Sequence, residues 1–173
     1  MARNGTARGA RGNIGGDGRQ VIATYRNAYR DFDLLETAEA GIVLQGSEVK
    51  SLREGHVQFA DANVWMTGGE AFLMGVHIAP WATSAGFGGH DPDRRRKLLL
   101  HKAEIERLAG RQAQEQVAVV PLQLYFLDGH VKVEIALARG RKKGDRRQEL
   151  AKRDAELETR RAMARSFSGK DRA

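Results

Sequence analysis

The pattern of apolar and polar positions changes from a strand to a helix around residue 45. Ile42, Val43 and Leu44 form a short apolar run, rich in β-branched side chains, that predicts a β-strand. The residues that follow predict a short amphipathic helix, with Ser47 as its N-cap and Gly55 directly after its end. A strand, a glycine corner and a helix are therefore expected in succession.

Within this predicted helix, the spacing separates two faces. Val49 and Leu52 lie three residues apart and share one face, while Lys50 and Arg53 share another. One side of the helix can therefore pack on a core while the other presents two cations to the solvent.

Two hairpins are predicted from glycine-containing turns between apolar segments. Their strands are residues 62–67 and 70–78, joined by Gly68-Gly69, and residues 117–126 and 130–139, joined by Asp128-Gly129. In the last strand, apolar residues alternate with polar ones, so Lys132 is expected to project from the outer surface. Pro121 lacks a backbone N–H and is expected at an edge or a bulge.

The segment between the two hairpins has mixed character. Residues 79–96 contain prolines and glycines without a clear period and predict a long loop. Residues 101–114 carry an apolar stripe at helical spacing and predict a helix. The loop ends in a run of cations that predicts a basic surface patch: Arg94, Arg95, Arg96 and Lys97.

Several strands with one helix inserted between them favour a fold that is mainly β with accompanying α-helices. An OB-like closed antiparallel β-barrel is the expected architecture, because it is common among small nucleic-acid-binding proteins. The pattern of strands alone favours a barrel over a β-sandwich only weakly. Residues 21–139 are predicted to form this barrel. Residues 1–20 form a disordered leader rich in Arg and Gly, and residues 140–173 form a basic C-terminal tail.

Charge is distributed unevenly along the chain. The net charge is +7, with +3 in residues 1–20, −3 in residues 21–138 and +7 in residues 139–173. Basic tails favour a polyanionic partner, because each neutralised phosphate releases counterions. The alternative is that the cationic tails only increase solubility.

Several classes of function find no support in the sequence. The chain contains no cysteine, so disulfides and thiolate chemistry are excluded. The five histidines lack the spacing of metal ligands, and no metal or cofactor is expected. No apolar stretch approaches the roughly 20 residues that span a bilayer. Glu36, Glu39, Glu48 and Asp61 leave a metal-dependent nuclease open as an enzyme alternative.

One segment resembles a known family signature. The segment Gly41-Ile-Val-Leu-Gln-Gly-Ser-Glu-Val-Lys-Ser-Leu-Arg-Glu-Gly55 resembles that of the SmpB family, small bacterial proteins that bind tmRNA. The resemblance runs from about Tyr29 to Met163. Further matching motifs are Gly69-Glu-Ala-Phe-Leu, Asp91-Pro-Asp-Arg-Arg-Arg-Lys-Leu-Leu-Leu100 and Arg139-Gly-Arg-Lys-Lys-Gly-Asp-Arg-Arg147.

The resemblance implies an OB-type barrel that binds the tRNA-like domain of tmRNA near its elbow. It implies that Glu39, Leu99 and Lys132 make this contact. A carboxylate can accept hydrogen bonds from bases or 2′-hydroxyls, and a lysine can pair with phosphate. The residues themselves suggest further cations that could follow an RNA backbone: Lys50, Arg53, Arg94, Arg96 and Lys97.

For the tail, the resemblance implies a segment that folds as a helix in the ribosomal decoding centre and the empty mRNA channel. Asp145, Arg146 and Arg147 match the Asp-Lys-Arg element of the family, and Met163 lies in the predicted helix. Two positions depart from some members, because Gly144 replaces a His and Ala155 replaces a Trp. A helix with so few apolar residues is expected to be disordered without its partner; an ordinary solvated helix is the alternative.

The resemblance therefore implies a cytoplasmic, monomeric accessory factor of trans-translation and not an enzyme. It would hold tmRNA charged with alanine and deliver it to the A site of a stalled ribosome. A general RNA-binding OB protein and a metal-dependent nuclease remain the alternatives.

Overall fold

The computed structural model describes residues 18–81, 89–141, 152, 154–160 and 163. The described part of residues 18–140 forms seven strands and three helices. In chain order these are β1 (Gln20–Thr24), α1 (Arg26–Asp31), β2 (Phe32–Ile42), α2 (Gly46–Arg53), β3 (Val57–Thr67), β4 (Glu70–Ile78), β5 (Arg96–Leu99), α3 (Lys102–Glu115), β6 (Ala118–Leu127) and β7 (His130–Gly140).

The chain divides into two units, Met1–Gly140 and Arg141–Ala173. In the second unit, residues 152, 154–160 and 163 are helical and exposed. The hydroxyl of Thr159 donates to the carbonyl oxygen of Ala155 at 2.8 Å, a bond within one helical turn. The division into leader, barrel and tail at residues 20 and 140 stays a prediction, and residues 1–17 lie outside the described part.

All seven strands belong to one antiparallel sheet with the order β1-β6-β7-β2-β5-β4-β3. The strand at one end of this order, β3, contacts β6 near the other end. The predicted class, mainly β with accompanying helices in an OB-like arrangement, is confirmed. The predicted hydrogen-bonded closure is not seen, since the described ladders leave the sheet open. Instead, packing between β3 and β6 brings the two ends of the sheet together.

Both predicted hairpins are confirmed, and their turns explain them. Gly68 and Gly69 join β3 to β4 with φ values of 58° and 74°, and Asp128 and Gly129 join β6 to β7 with φ values of 49° and 78°. Two consecutive residues with positive φ match the twist of a two-residue antiparallel turn. The ladder between β6 and β7 shifts register between Pro121 and Gln123, so the proline lies at a bulge, as predicted.

The core lies inside the curved sheet, and each helix packs against it. In β7 the residues predicted to face inward, Val131, Val133, Ile135 and Leu137, are buried as expected, but Ala136 and Ala138 of the other face are buried too. The helices contribute Ala28 from α1, Leu52 from α2 and Leu108 from α3, each no more than 1% exposed. The helix predicted at 101–114 is therefore present, one residue later at each end, and packs by its apolar stripe.

The start of α2 differs from the prediction. Strand β2 already ends at Ile42, and the N-cap of α2 is Gln45 rather than Ser47. The backbone N–H of Gln45 donates to Oε2 of Glu48 at 2.7 Å, which completes a reciprocal capping box. The hydroxyl of Ser47 instead forms a hydrogen bond of 2.9 Å with Nδ1 of the buried His90.

The predicted basic patch at residues 94–97 is wrong at its centre. Strand β5 begins at Arg96, and the side chain of Arg96 is completely buried. Its Nε donates to Oε1 of Glu48 at 2.8 Å, and its two terminal nitrogens donate to the carbonyl oxygens of Val76 and Pro92 at 2.7 and 2.8 Å. Arg96 is therefore a structural residue and is not available to bind RNA.

Glu48 also binds a second arginine. Nε and Nη2 of Arg94 donate to the two carboxylate oxygens of Glu48 at 2.9 and 2.5 Å. Burial raises the pKa of Glu48, but the hydrogen bonds from Arg94, the Gln45 backbone and Arg96 outweigh it and lower the pKa. The carboxylate thus stays ionised and connects α2 with β5 and the segment before it.

We expect Glu48→Gln to lower the free energy of unfolding by about 3–5 kcal/mol, because it leaves a buried guanidinium without its counter-charge. Urea denaturation at neutral pH measures this change. The matched control is Glu106→Gln on α3, where the carboxylate is mostly exposed and only 3.8 Å from an exposed lysine.

The contribution of Glu48 to stability depends on pH in a definite direction. Because folding lowers the pKa of Glu48, its stabilisation is present above the ordinary glutamate pKa and is lost as the pH falls through the folded value. In the Gln variant this part of the acid dependence should be absent. If Glu48→Gln lowers the free energy of unfolding no more than Glu106→Gln does, the ion pairs of Glu48 with Arg94 and Arg96 contribute little to stability.

Candidate nucleic-acid interface

A cleft of about 650 Å³ lies over β2, β5 and β7. It is also bordered by the turn before β4 and by the first turns of α3. Its lining residues are Glu39, Gly41, Gly69, Glu70, Lys97, Leu98, Leu99, Leu100, His101, Lys102, Glu104, Ile105 and Lys132. The three residues that the family resemblance indicated, Glu39, Leu99 and Lys132, all line this cleft.

Strand register explains why these three residues meet. Gly41 on the central strand β2 is paired with Leu99 of β5 on one side and with Lys132 of β7 on the other. Glu39 lies two residues before Gly41 and therefore on the same face of β2. Three strands that are distant in sequence thus place one side chain each at a common surface.

Leu99 is exposed because a glycine makes room for it. Its side chain lies across Gly41, where an added Cβ would be only 3.2 Å from the Cβ of Leu99. A glycine within a strand often marks such a close approach. Leu99 is 54% exposed, so the cleft that contains Glu39 and Lys132 also presents an apolar side chain to the solvent.

Glu39 has three partners of different kinds. The ammonium of Lys132 lies 3.6 Å from one carboxylate oxygen, and Nη2 of Arg19 lies 3.5 Å from the other. The hydroxyl of Tyr125 donates a hydrogen bond to the same carboxylate. Tyr125 is fully buried, and the guanidinium of Arg19 lies over its ring, 4.7 Å from the centroid.

The protonation state of Tyr125 is well defined. Burial, the hydrogen bond to Glu39 and the negative charge of Glu39 all raise the pKa of Tyr125 well above its ordinary value. Tyr125 therefore remains a neutral donor at physiological pH. It holds the carboxylate of Glu39 in one orientation, with the lysine on the side of the cleft.

The remaining charges of the cleft lie at its rim. Lys97 forms an ion pair with Glu70, and both side chains are nearly half exposed. Lys102, at the start of α3, is 85% exposed. An anion, several cations and an exposed leucine can together contact ribose hydroxyls, phosphates and an unstacked base. This combination suits a folded RNA better than a small molecule.

Within the first unit, three further predicted RNA contacts do not line this cleft. Lys50 and Arg53 are exposed on α2, but they do not line it; Arg53 borders a second cleft of about 410 Å³ beside the β6–β7 turn. Arg94 is only 24% exposed and is bound to Glu48. Met163 is exposed in the second unit. The predicted tail residues Asp145, Arg146 and Arg147 lie outside the described part of the chain.

Three of the four carboxylates considered for a nuclease have separate partners. Glu48 binds arginines, Glu39 binds Tyr125, and Glu36 forms ion pairs with Arg107 and Arg111 of α3. Among the described residues, no group of three or more His, Asp or Glu side chains could hold a metal ion. Within the same part of the chain, no helix is long and apolar enough to cross a membrane.

Sequence reasoning missed Tyr125, Gly41 and Glu70 as parts of the site. Tyr125 reads as one more apolar residue of a buried strand. Its role depends on its pairing with Lys132, which the turn at Asp128-Gly129 fixes. Counting residues outward from that turn would have placed the two side by side.

We expect Tyr125 to ionise at a higher pH than the other two tyrosines in a spectrophotometric titration. Glu39→Gln should lower the pKa of Tyr125, because it removes the negative charge beside the phenol. Tyr125→Phe identifies its transition, and Tyr25→Phe is the matched control, since Tyr25 is also buried but stacks on Phe59. An unchanged titration in Glu39→Gln would contradict the proposed pair.

Comparison with known proteins agrees with this geometry. The SmpB protein family model matches residues 22–165. The chain is 51% identical to the SsrA-binding protein of Nocardia farcinica over 88% of this chain and 94% of that protein. It is 47% identical to the SsrA-binding protein of Mycolicibacterium paratuberculosis over 98% of this chain and 99% of that protein.

A solved structure described as "tmRNA-SmpB: a journey to the center of the bacterial ribosome" is also similar. It aligns with a TM-score of 0.59 and 45% identity, covering 70% of this chain and 85% of the other. The family match spans most of the chain, including every strand from β2 to β7 and the cleft between them. The chain therefore belongs to the SmpB family.

Proposed function

We propose that this chain binds the tRNA-like domain of tmRNA and delivers tmRNA to the A site of stalled ribosomes for trans-translation. The observation that carries this proposal is the meeting of Glu39, Leu99 and Lys132 in one cleft. The SsrA-binding relatives and the tmRNA-SmpB structure support the identity of the RNA.

The three side chains offer different contacts to a folded RNA. Lys132 pairs with a phosphate, Glu39 accepts hydrogen bonds from a base or a 2′-hydroxyl, and Leu99 packs on an exposed base. Because Tyr125 and Lys132 already hold the carboxylate, little rotamer freedom is lost when RNA binds. The cleft therefore favours an RNA whose shape presents all three partners together.

Other cations extend this contact. Lys97 and Lys102 lie at the rim of the cleft, and the exposed Lys50 and Arg53 of α2 are further candidates for phosphate contacts. Such contacts position the RNA without reading its sequence. Arg94 and Arg96 are no longer included, because both are bound to Glu48.

The tail carries the second half of the proposal. Asp145, Arg146 and Arg147, with Met163 further along, would probe the decoding centre and the empty mRNA channel. Residues 152, 154–160 and 163 of this segment are helical and exposed, which is compatible with folding against a partner. The chain acts as a cytoplasmic, monomeric binding factor in this proposal and catalyses no reaction.

The first experiment compares binding to the tRNA-like domain with binding to an unrelated structured RNA of equal length, across a salt series. We expect a strong preference for the tRNA-like domain near physiological salt. Lys132→Ala should weaken this binding about tenfold and reduce the salt slope by roughly one, since one phosphate contact is lost. Its melting temperature should change little, because Lys132 is outside the core.

The matched control is Lys152→Ala, which removes an exposed lysine of the second unit. It should leave binding to the tRNA-like domain unchanged. Equal binding of the wild type to both RNAs, lost steeply with salt, would instead identify a general RNA-binding protein. A Lys132→Ala effect confined to stability would contradict the placement of Lys132 at the RNA.

Truncation after Gly140 tests the division of labour between the two units. The truncated protein should keep its affinity for the tRNA-like domain, because the cleft and the core lie within residues 20–140. It should fail to support peptide tagging on stalled ribosomes in a reconstituted translation assay. Loss of tmRNA binding on truncation would contradict the proposal that the tail serves only the ribosome.

A further inference from the structure

A row of side chains continues the surface of the cleft toward the edge of the sheet. Trp65 of β3 is paired with Phe72 of β4, and Phe72 is paired with Lys97 of β5. Residues that are directly paired in an antiparallel sheet point to the same face. Because Lys97 lines the cleft, Trp65 and Phe72 lie on the face of the sheet that contains it.

The opposite face confirms this placement. The next pairs along the same strands, Val64 with Leu73 and Leu73 with Arg96, are no more than 2% exposed and point inward. Trp65 is 59% exposed, and Met74, two residues after Phe72 on the same face, is 40% exposed. A tryptophan with most of its surface in the solvent contributes little to the core of this unit.

A cation accompanies these apolar side chains. The guanidinium of Arg95 lies over the ring of Phe72, 5.4 Å from its centroid. A planar guanidinium beside an open indole ring is the chemistry that proteins use to stack on nucleobases. Lys97 closes the row on the side of the cleft and adds a second positive charge.

The distance from Trp65 to Lys97 across the strands also suits a nucleic acid. Two strand spacings of roughly 4.8 Å separate the backbone of Trp65 from that of Lys97, or about 10 Å. This equals about three steps of roughly 3.4 Å along a stacked strand. An RNA whose backbone meets Lys132 and Lys97 therefore reaches Trp65 within a few nucleotides.

We propose that Trp65, Phe72, Met74 and Arg95 form a stacking platform for an unpaired base of the RNA that occupies the cleft. This inference rests on the proposed function and extends its binding site to the outer edge of the sheet. The occupant is an unpaired base because only a base free of its neighbours exposes a whole π-face to the indole. Arg95 holds the adjacent phosphate or stacks on the same base.

The fluorescence of Trp65 reports this contact directly. The chain contains two tryptophans, so Trp81→Phe leaves Trp65 as the only one. In this variant, the tRNA-like domain should quench the emission, with saturation at the concentration that saturates binding. If Trp81→Phe does not fold, the difference in quenching between wild type and Trp65→Phe gives the same information.

Substitutions measure the contribution to binding. Trp65→Ala should weaken binding to the tRNA-like domain at least about fivefold, because stacking on one base contributes roughly this factor or more. Trp65→Phe keeps an aromatic face and should lose much less. The matched control is Leu35→Ala, which removes a 42% exposed apolar side chain of β2 outside the row and should leave affinity unchanged.

The outcomes separate this inference from the proposed function. If the wild type prefers the tRNA-like domain but Trp65→Ala binds it normally and Trp65 is not quenched, the platform is overturned and the proposed function stands. If Trp65→Ala impairs only the ribosomal step, the surface contacts the ribosome and the inference is likewise wrong. A wild type without RNA preference overturns both.

Discussion

The buried carboxylate of Glu48 between Arg94 and Arg96 is the interaction on which the rest of the structure depends. An unpaired guanidinium inside a core is very costly, so Arg96 can point inward only because Glu48 and two backbone carbonyls receive it. Side chains alternate along a strand. Once Arg96 points inward, Lys97 and Leu99 must point outward into the cleft.

The same network connects this strand to the helix whose first turn supplies Glu48. Helix α2 is capped by the carboxylate that also binds both arginines, so its N-terminus and the register of β5 are fixed together. A loss of this carboxylate would release the short strand β5, which has only four residues with which to hold its place. The family signature of residues 41–55 thus includes a residue that organises the cleft without lining it.

Local patterns predicted those parts of the fold that depend on local chemistry. Backbone conformation alone predicts the Gly-Gly and Asp-Gly turns. The spacing of apolar residues alone predicts helix α3 and the outward position of Lys132. The run of cations at 94–97 was misread because arginines are mostly exposed. The burial of Arg96 depends on Glu48, which lies 48 residues earlier in the chain. A pattern of neighbouring residues cannot reveal a pairing over that distance.

The candidate site was likewise predicted from the sequence only in part. Glu39, Leu99 and Lys132 were found through the family resemblance, whereas their meeting is a consequence of register on either side of Gly41. Tyr125 was missed because it reads as one more apolar residue of a buried strand, whereas the structure places it beneath Arg19 and Glu39. A tyrosine in an apolar strand gives no sign of whether its hydroxyl serves packing or holds a functional carboxylate.

These contacts also explain how a body with a net charge of −3 can bind a polyanion. Several of its acidic side chains are held by cations of the same unit, such as Glu36 by α3 and Glu48 by Arg94 and Arg96. Their negative charge is neutralised locally, so the surface potential at the cleft depends on the nearby charges more than on the total. In the proposed function, Lys102 and Lys132 attract phosphate, and Glu39 selects among the groups that the phosphates bring near.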